Sequence, residues 1–428
     1  MSAPGRQMSV VRQTERMRST PVKGTSAIPF DLAPIPHPSR TTAFGLYLHV
    51  PFCSSRCGYC DFNTYTAEEL GPGATRSSYA DTAATEIRSA RRTLGPDPLP
   101  VATVFIGGGT PTLLPPSDLV RLVDIIGEEF GLAEDAEITT EANPDSIDAA
   151  GLAFLRAGGF TRISFGMQST SSRVLQMLDR THTPGRAIDS VRHAREAGFE
   201  HVSVDLIYGT PGETADDLAR SLDAAIESGV DHVSAYALVV EEGTRLGARV
   251  ARGEMPAPDD DVAAERYAQV DQRLQSGGFE WYELSNWSRP GGECRHNLGY
   301  WRGCDWWGIG PGAHSHVQGL RWWNRRHPLS YADALADGLW PADGSEVLTD
   351  EDRRTERLML AIRLREGLDL AEVAALTGVP HGGAREDRLS GLLERGLIDS
   401  DAHADGVLVL TRSGRLVADA IVRDLLVD

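Results

Sequence analysis

The sequence is poor in several features that would mark an exported or nucleic-acid-binding protein. Cysteine accounts for 5 of its 428 residues, which is too few for the disulfide framework of a secreted protein. No apolar run is long enough to span a membrane, and residues 1–40 lack the apolar block of a secretory signal. Basic residues are outnumbered, with 42 Lys and Arg against 61 Asp and Glu and a net charge of −19, which disfavours nucleic acid as a partner. These absences predict a cytoplasmic protein without a membrane span.

The length of the chain bears on its number of domains. At 428 residues it exceeds the roughly 250–300 residues at which one hydrophobic core stops growing, so we expect a large domain and a smaller one. Residues 1–40 are rich in Pro, Ser and Thr and poor in apolar residues, so they cannot bury enough surface to fold. We predict a disordered tail at 1–40, a barrel at 41–280, a Trp- and His-rich segment at 281–347 and a C-terminal domain at 348–428.

From Gly45 onward, short apolar segments alternate with amphipathic helical segments, which is typical of βα units around a parallel sheet. The predicted strands are Gly45–Val50, Val101–Ile106, Glu137–Glu141, Arg162–Gly166, His201–Leu206 and His232–Leu238. The predicted helices include Tyr79–Leu94, Ser117–Phe130, Pro184–Ala197 and Asp216–Ser228. Six units are too few for a closed eight-fold barrel, so the predicted fold class is α/β, a partial (β/α)6 TIM-like barrel with an open lateral cleft. In such barrels the chemistry lies at the C-terminal ends of the strands.

The last third of the chain differs in composition from what precedes it. All 8 tryptophans lie within residues 281–340, together with several histidines, so this stretch is a candidate binding segment. From about Leu348 helical patterns return, followed by a short strand pair at Gly406–Thr411 and a last helix through Leu426. That arrangement predicts a small winged-helix-like α+β domain.

Three cysteines share one short stretch after the first predicted strand. Cys53, Cys57 and Cys60 have the spacing C-x3-C-x2-C, and three thiolates on one loop can hold three irons of a [4Fe–4S] cluster while the fourth stays open. An open iron can bind the amino and carboxylate groups of S-adenosylmethionine, and electron transfer to this cofactor yields a 5′-deoxyadenosyl radical. Structural zinc favours four protein ligands and paired spacings. The alternatives are packed thiols or a zinc site completed by His49, Asp61 or Cys294.

With these cysteines, the chain from Gly45 to about His316 resembles the radical-SAM superfamily. The resemblance is to the branch that contains oxygen-independent coproporphyrinogen oxidases and HemW-type haem chaperones, and the segment from about Leu348 resembles the small domain of that branch. It implies a [4Fe–4S] cluster on the three cysteines with S-adenosylmethionine beside it. The positions that match the cofactor-binding residues of the family are Tyr47, Tyr59, Gly109, Thr110, Glu141, Gln168, Arg180 and Asp205. Taken singly, each also suits an ordinary role such as a tight turn, a solvated carboxylate or a buried ring.

Two features separate the members of that branch. The oxidases carry a fourth cysteine two positions after the third, where this chain has Phe62, which argues against oxidase activity. Residues 296–301 match the H-N-x-x-Y-W motif of the haem chaperones, which implies that His296, Tyr300 and Trp301 bind haem, with an imidazole as axial ligand and flat rings against the macrocycle. The alternative is a capped loop in which His296 bonds to the backbone and the aromatic rings fill a small core. Backup ligand candidates are His314 and His316; the alternative, which we favour, is that they belong to a glycine-rich loop that closes the cleft.

The predicted function is that of a haem chaperone that binds haem, a [4Fe–4S] cluster and S-adenosylmethionine and transfers haem to an acceptor protein. A flavodoxin or ferredoxin would serve as electron donor. The alternative is an oxygen-independent coproporphyrinogen III oxidase, which would share nearly all of these motifs. A third hypothesis, a DNA-binding winged helix at 348–428, is disfavoured because acidic residues outnumber basic ones there.

Overall fold

The computed structural model describes residues 22–23, 28–70, 75–95, 97, 99–183, 185–377 and 384–426. Much of the tail predicted at 1–40 therefore lies outside the described residues. Its described part does not fit the predicted disorder, because Val22–Lys23 pairs with a later strand and Phe30 is buried in the barrel core. The strands are β1 Val22–Lys23, β2 Phe44–Val50, β3 Val101–Gly108, β4 Leu132–Ala142, β5 Arg162–Gln168, β6 His201–Tyr208, β7 His232–Ala237, β8 Glu280–Glu283, β9 Asn286–Ser288, β10 Asp305–Ile309, β11 His314–Val317, β12 Leu320–Asn324, β13 Ala342–Val347, β14 Leu368–Asp369 and β15 Val407–Leu408.

Helices connect most of these strands. In the first half of the chain they are Ala67–Leu70, Arg76–Thr93, Pro116–Phe130, Ala149–Ala157, Ser172–Met177, Arg186–Glu196, Ala215–Glu227 and Arg245–Ala251. In the second half they are Asp260–Ser276, Arg295–Trp301, Pro328–Ala336, Asp350–Ala361, Leu370–Thr377, Ala384–Glu394, Ser400–Ala404, Arg412–Leu416 and Ala418–Leu426. Short 3-10 turns occur at Phe30–Leu32 and Pro111–Leu113. Within the described residues, no helix combines the length and apolar character needed to cross a bilayer.

One large sheet organises the molecule. Its order is β1-β13-β12-β11-β10-β2-β3-β4-β5-β6-β7-β9-β8, and β2 to β7 run parallel to one another. β10 adds a further parallel strand beside β2, and the outer strands on both sides are antiparallel. In the part of the chain that the structure describes, β1 and β8 do not pair with each other, so the sheet stays open. The predicted α/β class with an open, partial barrel is confirmed.

Alternation along the strands gives the sheet two different faces. In β2, Leu46 and Leu48 are fully buried beneath the helices, whereas Tyr47 between them points to the opposite face. The register places Tyr47 beside Phe105 of β3. The same alternation puts polar side chains on the face away from the helices, among them Thr103, Glu137, Glu141, Arg162, Ser164 and Asp205. This polar face lines the cleft.

Two of the connecting helices begin at a threonine cap. Thr75 accepts a hydrogen bond from the Ser78 amide at the start of Arg76–Thr93, and Thr214 forms a capping box with Asp217. The predicted helices agree with the structure to within a few residues, although Pro184 lies outside the described residues. Each amphipathic helix packs its apolar side on the sheet, as a parallel crossover requires.

Two expectations about the second half of the chain need correction. Residues 281–347, predicted as a separate segment, contribute β8 to β13 to both edges of the barrel sheet, and their large rings Trp287, Trp307 and Trp322 belong to the barrel core. The strand pair predicted within Gly406–Thr411 was wrong, because Val407–Leu408 pairs with Leu368–Asp369. Both differences arise from pairing between segments far apart in sequence.

The last residues have a hydrophobic cluster of their own, which runs from Leu358 to Leu425. A buried ion pair joins this part to the barrel, because Arg415 donates to both carboxylate oxygens of Asp271 at 3.0 and 2.9 Å. The Arg415 guanidinium also lies 4.3 Å from the centre of the Trp281 ring. The C-terminal helices are therefore fixed to the barrel helix Asp260–Ser276.

Candidate functional site at the carboxyl ends of the strands

The loop that carries the three cysteines follows β2 and is held at its ends and its tip. The Cys53 amide donates to the Tyr65 carbonyl at 3.0 Å, which closes the two ends of the loop. At the tip, the Gly58 amide donates to the Leu178 carbonyl at 3.0 Å, and the Leu246 amide donates to the Gly58 carbonyl at 2.8 Å. The loop is thus positioned by two other elements of the barrel top.

The three thiols are free and half-buried. Arg180 Nη1 donates to Cys57 Sγ at 3.3 Å, so a guanidinium lies against one sulfur. Burial raises the pKa of the Cys60 thiol to about 11 and also raises that of Cys53, so ligation of a metal centre would release protons. Among the described residues, no three His, Cys, Asp or Glu side chains meet closely enough to hold a single metal ion. Three sulfurs on one compact loop are a donor set that fits three corners of a [4Fe–4S] cluster.

The glycine turn at residues 107–110 packs directly on the cysteine loop. The Gly109 amide donates to the Val50 carbonyl at 2.8 Å and the Thr110 amide to the Phe52 carbonyl at 2.7 Å. A Cβ atom at Gly109 would overlap the Phe52 carbonyl and lie 3.1 Å from Cys53 Sγ. Glycine is required there because any side chain would displace the loop that holds the thiols.

Two carboxylates face the cleft beyond this turn. Glu141 Oε2 accepts the Gly108 amide at 3.1 Å, and Asp205 Oδ1 accepts the Ser164 hydroxyl at 3.2 Å. Burial, followed by the charge of Asp205, raises the pKa of Glu141 to about 8, and burial raises the pKa of Asp205 to about 6. Acids perturbed in this way inside a cleft are typical of ligand sites.

Gln168 ends β5 in a strained conformation. Its φ is 56°, in the left-handed region that few non-glycine residues adopt. Its side-chain oxygen Oε1 is buried and has no hydrogen-bond partner in the described part of the chain. Next to it, Arg180 Nη2 donates to the Gly166 carbonyl at 3.1 Å. A buried amide acceptor without a protein partner, beside a fixed guanidinium, indicates a place for a polar ligand.

Of the two predicted tyrosines, Tyr47 lies on β2 before the loop, and Tyr59 lies within the loop between Cys57 and Cys60. Tyr47 stacks on Phe105 with ring centres 6.2 Å apart, and its hydroxyl hydrogen-bonds to His49 Nδ1 at 3.0 Å. Tyr59 packs against the small apolar cluster that includes Leu178 and Leu246, and burial raises the pKa of its phenol. Both rings therefore have structural contacts as well as a position beside the cleft.

A cavity of about 470 Å³ lies between the cysteine loop and residues 172–182. Arg56, Arg180 and Arg245 line it together with Asp179, so its wall carries more positive than negative charge. Arg180 thereby connects this cavity to Cys57.

The His296 motif lies at the opposite, amino-terminal end of the strands. The backbone amide of His296 donates to Glu137 Oε1 at 3.0 Å. Its ring nitrogens are both occupied, Nδ1 by the Thr103 hydroxyl and Nε2 by the Tyr300 hydroxyl, each at 2.8 Å. The residue is 4% exposed, and burial lowers the pKa of its imidazole to about 4. As described, His296 does not fit an axial haem ligand, because it offers no open nitrogen.

The other two residues of the motif point in different directions. Tyr300 turns towards the cleft, where its ring meets Trp306 edge-on with centres 4.7 Å apart. Trp301 instead packs with Leu360 and Leu364 against the C-terminal part of the chain. Residues 296–301 therefore connect the amino-terminal end of the barrel strands to the C-terminal helices.

Sequence reasoning missed two residues that organise this region. Glu137 binds Arg162 and the first amides of the helix Arg295–Trp301, and its place four residues before Glu141 on the same strand face was a usable signal. Asn63 donates to the Pro311 and Arg326 carbonyls at 3.0 and 2.8 Å, which ties the cysteine loop to the β10–β12 region. Nothing in the sequence pattern marks that second contact.

Known proteins resemble this chain over nearly its whole length. The profile of the Radical SAM superfamily matches residues 47–225, and that of the HemN C-terminal domain matches residues 348–417. A Mycobacterium tuberculosis protein named Heme chaperone HemW is 53% identical over 395 residues, which is 92% of this chain and 97% of that protein. The chain belongs to the HemW family.

Further relatives and one solved structure agree with this assignment. The Heme chaperone HemW of Bacillus subtilis is 33% identical, with 88% of this chain and 97% of that protein covered. The structure of coproporphyrinogen III oxidase (HemN) from Escherichia coli matches with a TM-score of 0.75 at 23% identity and covers 92% of each chain. That similarity shows the shared fold, and the predicted membership of this radical-SAM branch is confirmed.

Proposed function

We propose that this chain binds a [4Fe–4S] cluster, S-adenosylmethionine and haem, and passes haem to an acceptor protein. The observation that carries the proposal is its similarity, over nearly the full length, to relatives named haem chaperones. The site is consistent with that reading, because the thiols, the glycine turn and the perturbed carboxylates lie together at the carboxyl ends of the strands.

The side chains support a division of roles. Cys53, Cys57 and Cys60 would hold the cluster, which with S-adenosylmethionine supplies one-electron chemistry when both are bound. Gly109 and Thr110 would shape the pocket beside the open iron. The polar groups that would orient the cofactor are Tyr47, Tyr59, Glu141, Gln168, Arg180 and Asp205. Of these, Gln168 is the strongest candidate for a contact with the cofactor, since its side-chain oxygen is buried without a partner among the described residues.

Haem binding by His296, Tyr300 and Trp301 stays a prediction. The chemistry of an imidazole beside two aromatic rings suits haem, but Nε2 would first have to leave the Tyr300 hydroxyl. Replacing Tyr300 with Phe removes that hydrogen bond while the ring stays. If His296 is the ligand, Tyr300→Phe should bind haem at least as tightly as the wild type, and His296→Ala should lose the affinity.

The partners follow from the same proposal. Haem is the cargo, a protein is the acceptor, and a flavodoxin- or ferredoxin-class protein would reduce the cluster. We place the protein in the cytoplasm, because its five cysteines are all free thiols, which a reducing compartment maintains.

The rival function is oxidative decarboxylation of coproporphyrinogen III. Phe62 stands where the oxidases carry a cysteine, and its side chain is 54% exposed on the cysteine loop. The deciding experiment combines an anaerobic assay of reconstituted protein for porphyrinogen conversion with a spectroscopic haem titration. We expect haem binding without conversion. Appreciable turnover, or wild-type protein that takes up no haem, would contradict the proposed function.

A further inference from the structure

The cavity between the cysteine loop and residues 172–182 differs in its lining from the cleft that would hold the cofactor. Its volume is about 470 Å³, and of the positions matched to S-adenosylmethionine, Arg180 is the one found in its wall among the described residues. Its mouth is polar, because Ser55, Thr181 and Arg245 on that wall are exposed. A solvent-facing cavity with a polar rim can receive side chains from a protein that docks over it.

The wall of this cavity is positively charged, although the chain as a whole is not. Arg56, Arg180 and Arg245 line it, against Asp179 as the one lining acid in the described chain. The charge of Asp179 is shared with Arg249, whose guanidinium lies 3.9 Å away. Because the chain has a net charge of −19, most of its surface would repel an acidic protein. A local positive wall is where such a protein can approach.

The three guanidiniums contact the cysteine loop, so their charge has a fixed position. Arg56 belongs to the loop itself, and its Nη1 lies 3.6 Å from the exposed Glu69. Arg245 Nη2 donates to the Arg56 carbonyl, and Arg180 Nη1 donates to Cys57 Sγ at 3.3 Å. The cavity wall is therefore one side chain away from a thiol that would hold the cluster.

His182 adds a hydrogen-bond donor to the same wall. Its Nδ1 accepts from Arg180 Nε at 3.3 Å, so the neutral ring carries its proton on Nε2. Burial, followed by the charge of Arg180, lowers the pKa of this imidazole to about 4 and keeps it neutral. In the part of the chain that the structure describes, Nε2 has no hydrogen-bond partner. Guanidiniums grouped with a further N–H donor are suited to carboxylates.

We propose that this cavity is the docking surface for the electron donor, an acidic one-electron carrier of the flavodoxin class, whose carboxylates meet Arg56, Arg180 and Arg245. The inference rests on the cluster and electron donor of the proposed function and deepens it by naming the surface. One electron crosses: the anionic flavin hydroquinone of the donor is oxidised to the neutral semiquinone and the cluster is reduced. No proton moves and no bond forms or breaks. A donor seated there would be separated from Cys57 by the Arg180 side chain, which keeps the electron path short.

The test compares Arg245→Glu with Arg395→Glu, a charge reversal at an arginine of the C-terminal part that is 60% exposed. Stopped-flow mixing measures the second-order rate at which a reduced, acidic flavodoxin reduces the cluster of the reconstituted full-length protein. Arg245→Glu should lower that rate at least about tenfold and flatten its salt dependence, because the reversed charge repels the donor. Arg245→Lys keeps the charge and should keep most of the rate, and Arg395→Glu should match the wild type.

Two further measurements separate docking from damage to the cluster. Titration of the cluster-free protein with oxidised flavodoxin at low salt should show binding by the wild type and Arg395→Glu, and about tenfold weaker binding by Arg245→Glu. Photoreduced deazariboflavin, which is an uncharged small reductant, should reduce the cluster at the same rate in all of these proteins. Docking predicts this pattern, whereas a structural role of Arg245 would slow both reductants.

The outcomes distinguish this inference from the proposed function. Equal flavodoxin rates in Arg245→Glu and Arg395→Glu would overturn the docking surface while haem binding stands. Equally slow reduction of Arg245→Glu by deazariboflavin would also overturn it, because the substitution would then act on the cluster. Loss of S-adenosylmethionine affinity with an unchanged flavodoxin rate would do the same, since the cavity would then serve the cofactor. Wild-type protein that takes up no haem would refute the haem function, whereas the flavodoxin rates decide the docking surface.

Discussion

Glu137 offers a test of which interactions stabilise the amino-terminal end of the barrel strands. Its carboxylate is 4% exposed and accepts four hydrogen bonds: from Arg162 Nε at 3.0 Å, the Arg295 amide at 3.1 Å, the His296 amide at 3.0 Å and Cys294 Sγ at 3.6 Å. Replacing Glu137 with Gln keeps the shape but removes the charge. It leaves the guanidinium of Arg162, which is 1% exposed, buried without its counter-ion.

The magnitude follows from that geometry. Breaking a buried ion pair by neutralising one partner costs about 3–5 kcal/mol. Gln retains one acceptor oxygen, so part of the roughly 1.5–3 kcal/mol per charged hydrogen bond is kept and the lower half of that range is expected. A loss of this size is a large fraction of the roughly 5–15 kcal/mol that stabilises a native protein. Urea unfolding followed by circular dichroism measures it.

The pH dependence gives the same prediction a second readout. Although burial raises it, the charge of Arg162 and the two amides hold the pKa of Glu137 below its ordinary value. A carboxyl with a lowered folded pKa adds stability above its unfolded pKa of about 4.3, and this contribution is lost as the pH falls through the folded value. The difference between wild type and Glu137→Gln should therefore shrink below about pH 4.

A matched control lies two residues earlier on the same strand. Asp135 forms an ion pair with Arg295 at 2.7 Å, but its side chain is 80% exposed, so Asp135→Asn should leave unfolding unchanged. Equal unfolding midpoints for Glu137→Gln and Asp135→Asn would refute the reasoning.

Three further predictions concern other parts of the molecule. After anaerobic reconstitution, Cys60→Ala should retain less than about half of the wild-type iron and labile sulfide. The control Cys294→Ala, at a buried thiol outside the loop, should retain both in full. Equal iron and sulfide contents in the two variants would exclude the cysteine loop as the cluster site. Burial and the neighbouring carboxylate of Asp205 raise the pKa of Glu141 from 4.5 to about 8, so its ionisation lowers the stability of the folded protein as the pH rises through that range. Glu141→Gln should therefore unfold at a higher urea concentration than the wild type at about pH 8, but not at about pH 4. Identical pH profiles of the two proteins would count against this prediction. Arg415→Met should destabilise the chain by about 3–5 kcal/mol, while the half-exposed Arg412→Met should have little effect in the same urea titration.

The sequence was most informative where the determinants are local. The alternating pattern located the six barrel strands, although β4 begins at Leu132 rather than Glu137, because its first residues are polar and carry little strand signal. The sequence also predicted that the cysteine loop and the motifs after each strand lie together. The fold places them at one end of the sheet, because the carboxyl ends of parallel strands share an edge.

The sequence was least informative where distant segments meet. Three such contacts join residues more than a hundred positions apart: the pairing of β10 beside β2, the contact of Asn63 with the β10–β12 region, and the ion pair between Asp271 and Arg415. No local pattern encodes such partners, because each depends on how the whole chain packs.

Family membership, the open α/β barrel and the three-thiol loop were thus determined by the sequence alone, because they depend on short spacings and on the period of the strands. The tertiary structure alone decided whether the His296 imidazole is free. It engages both of its nitrogens, Nδ1 with the Thr103 hydroxyl and Nε2 with the Tyr300 hydroxyl. The sequence could not show this, because the hydrogen-bond partners of a buried ring include elements that only the folded chain brings together.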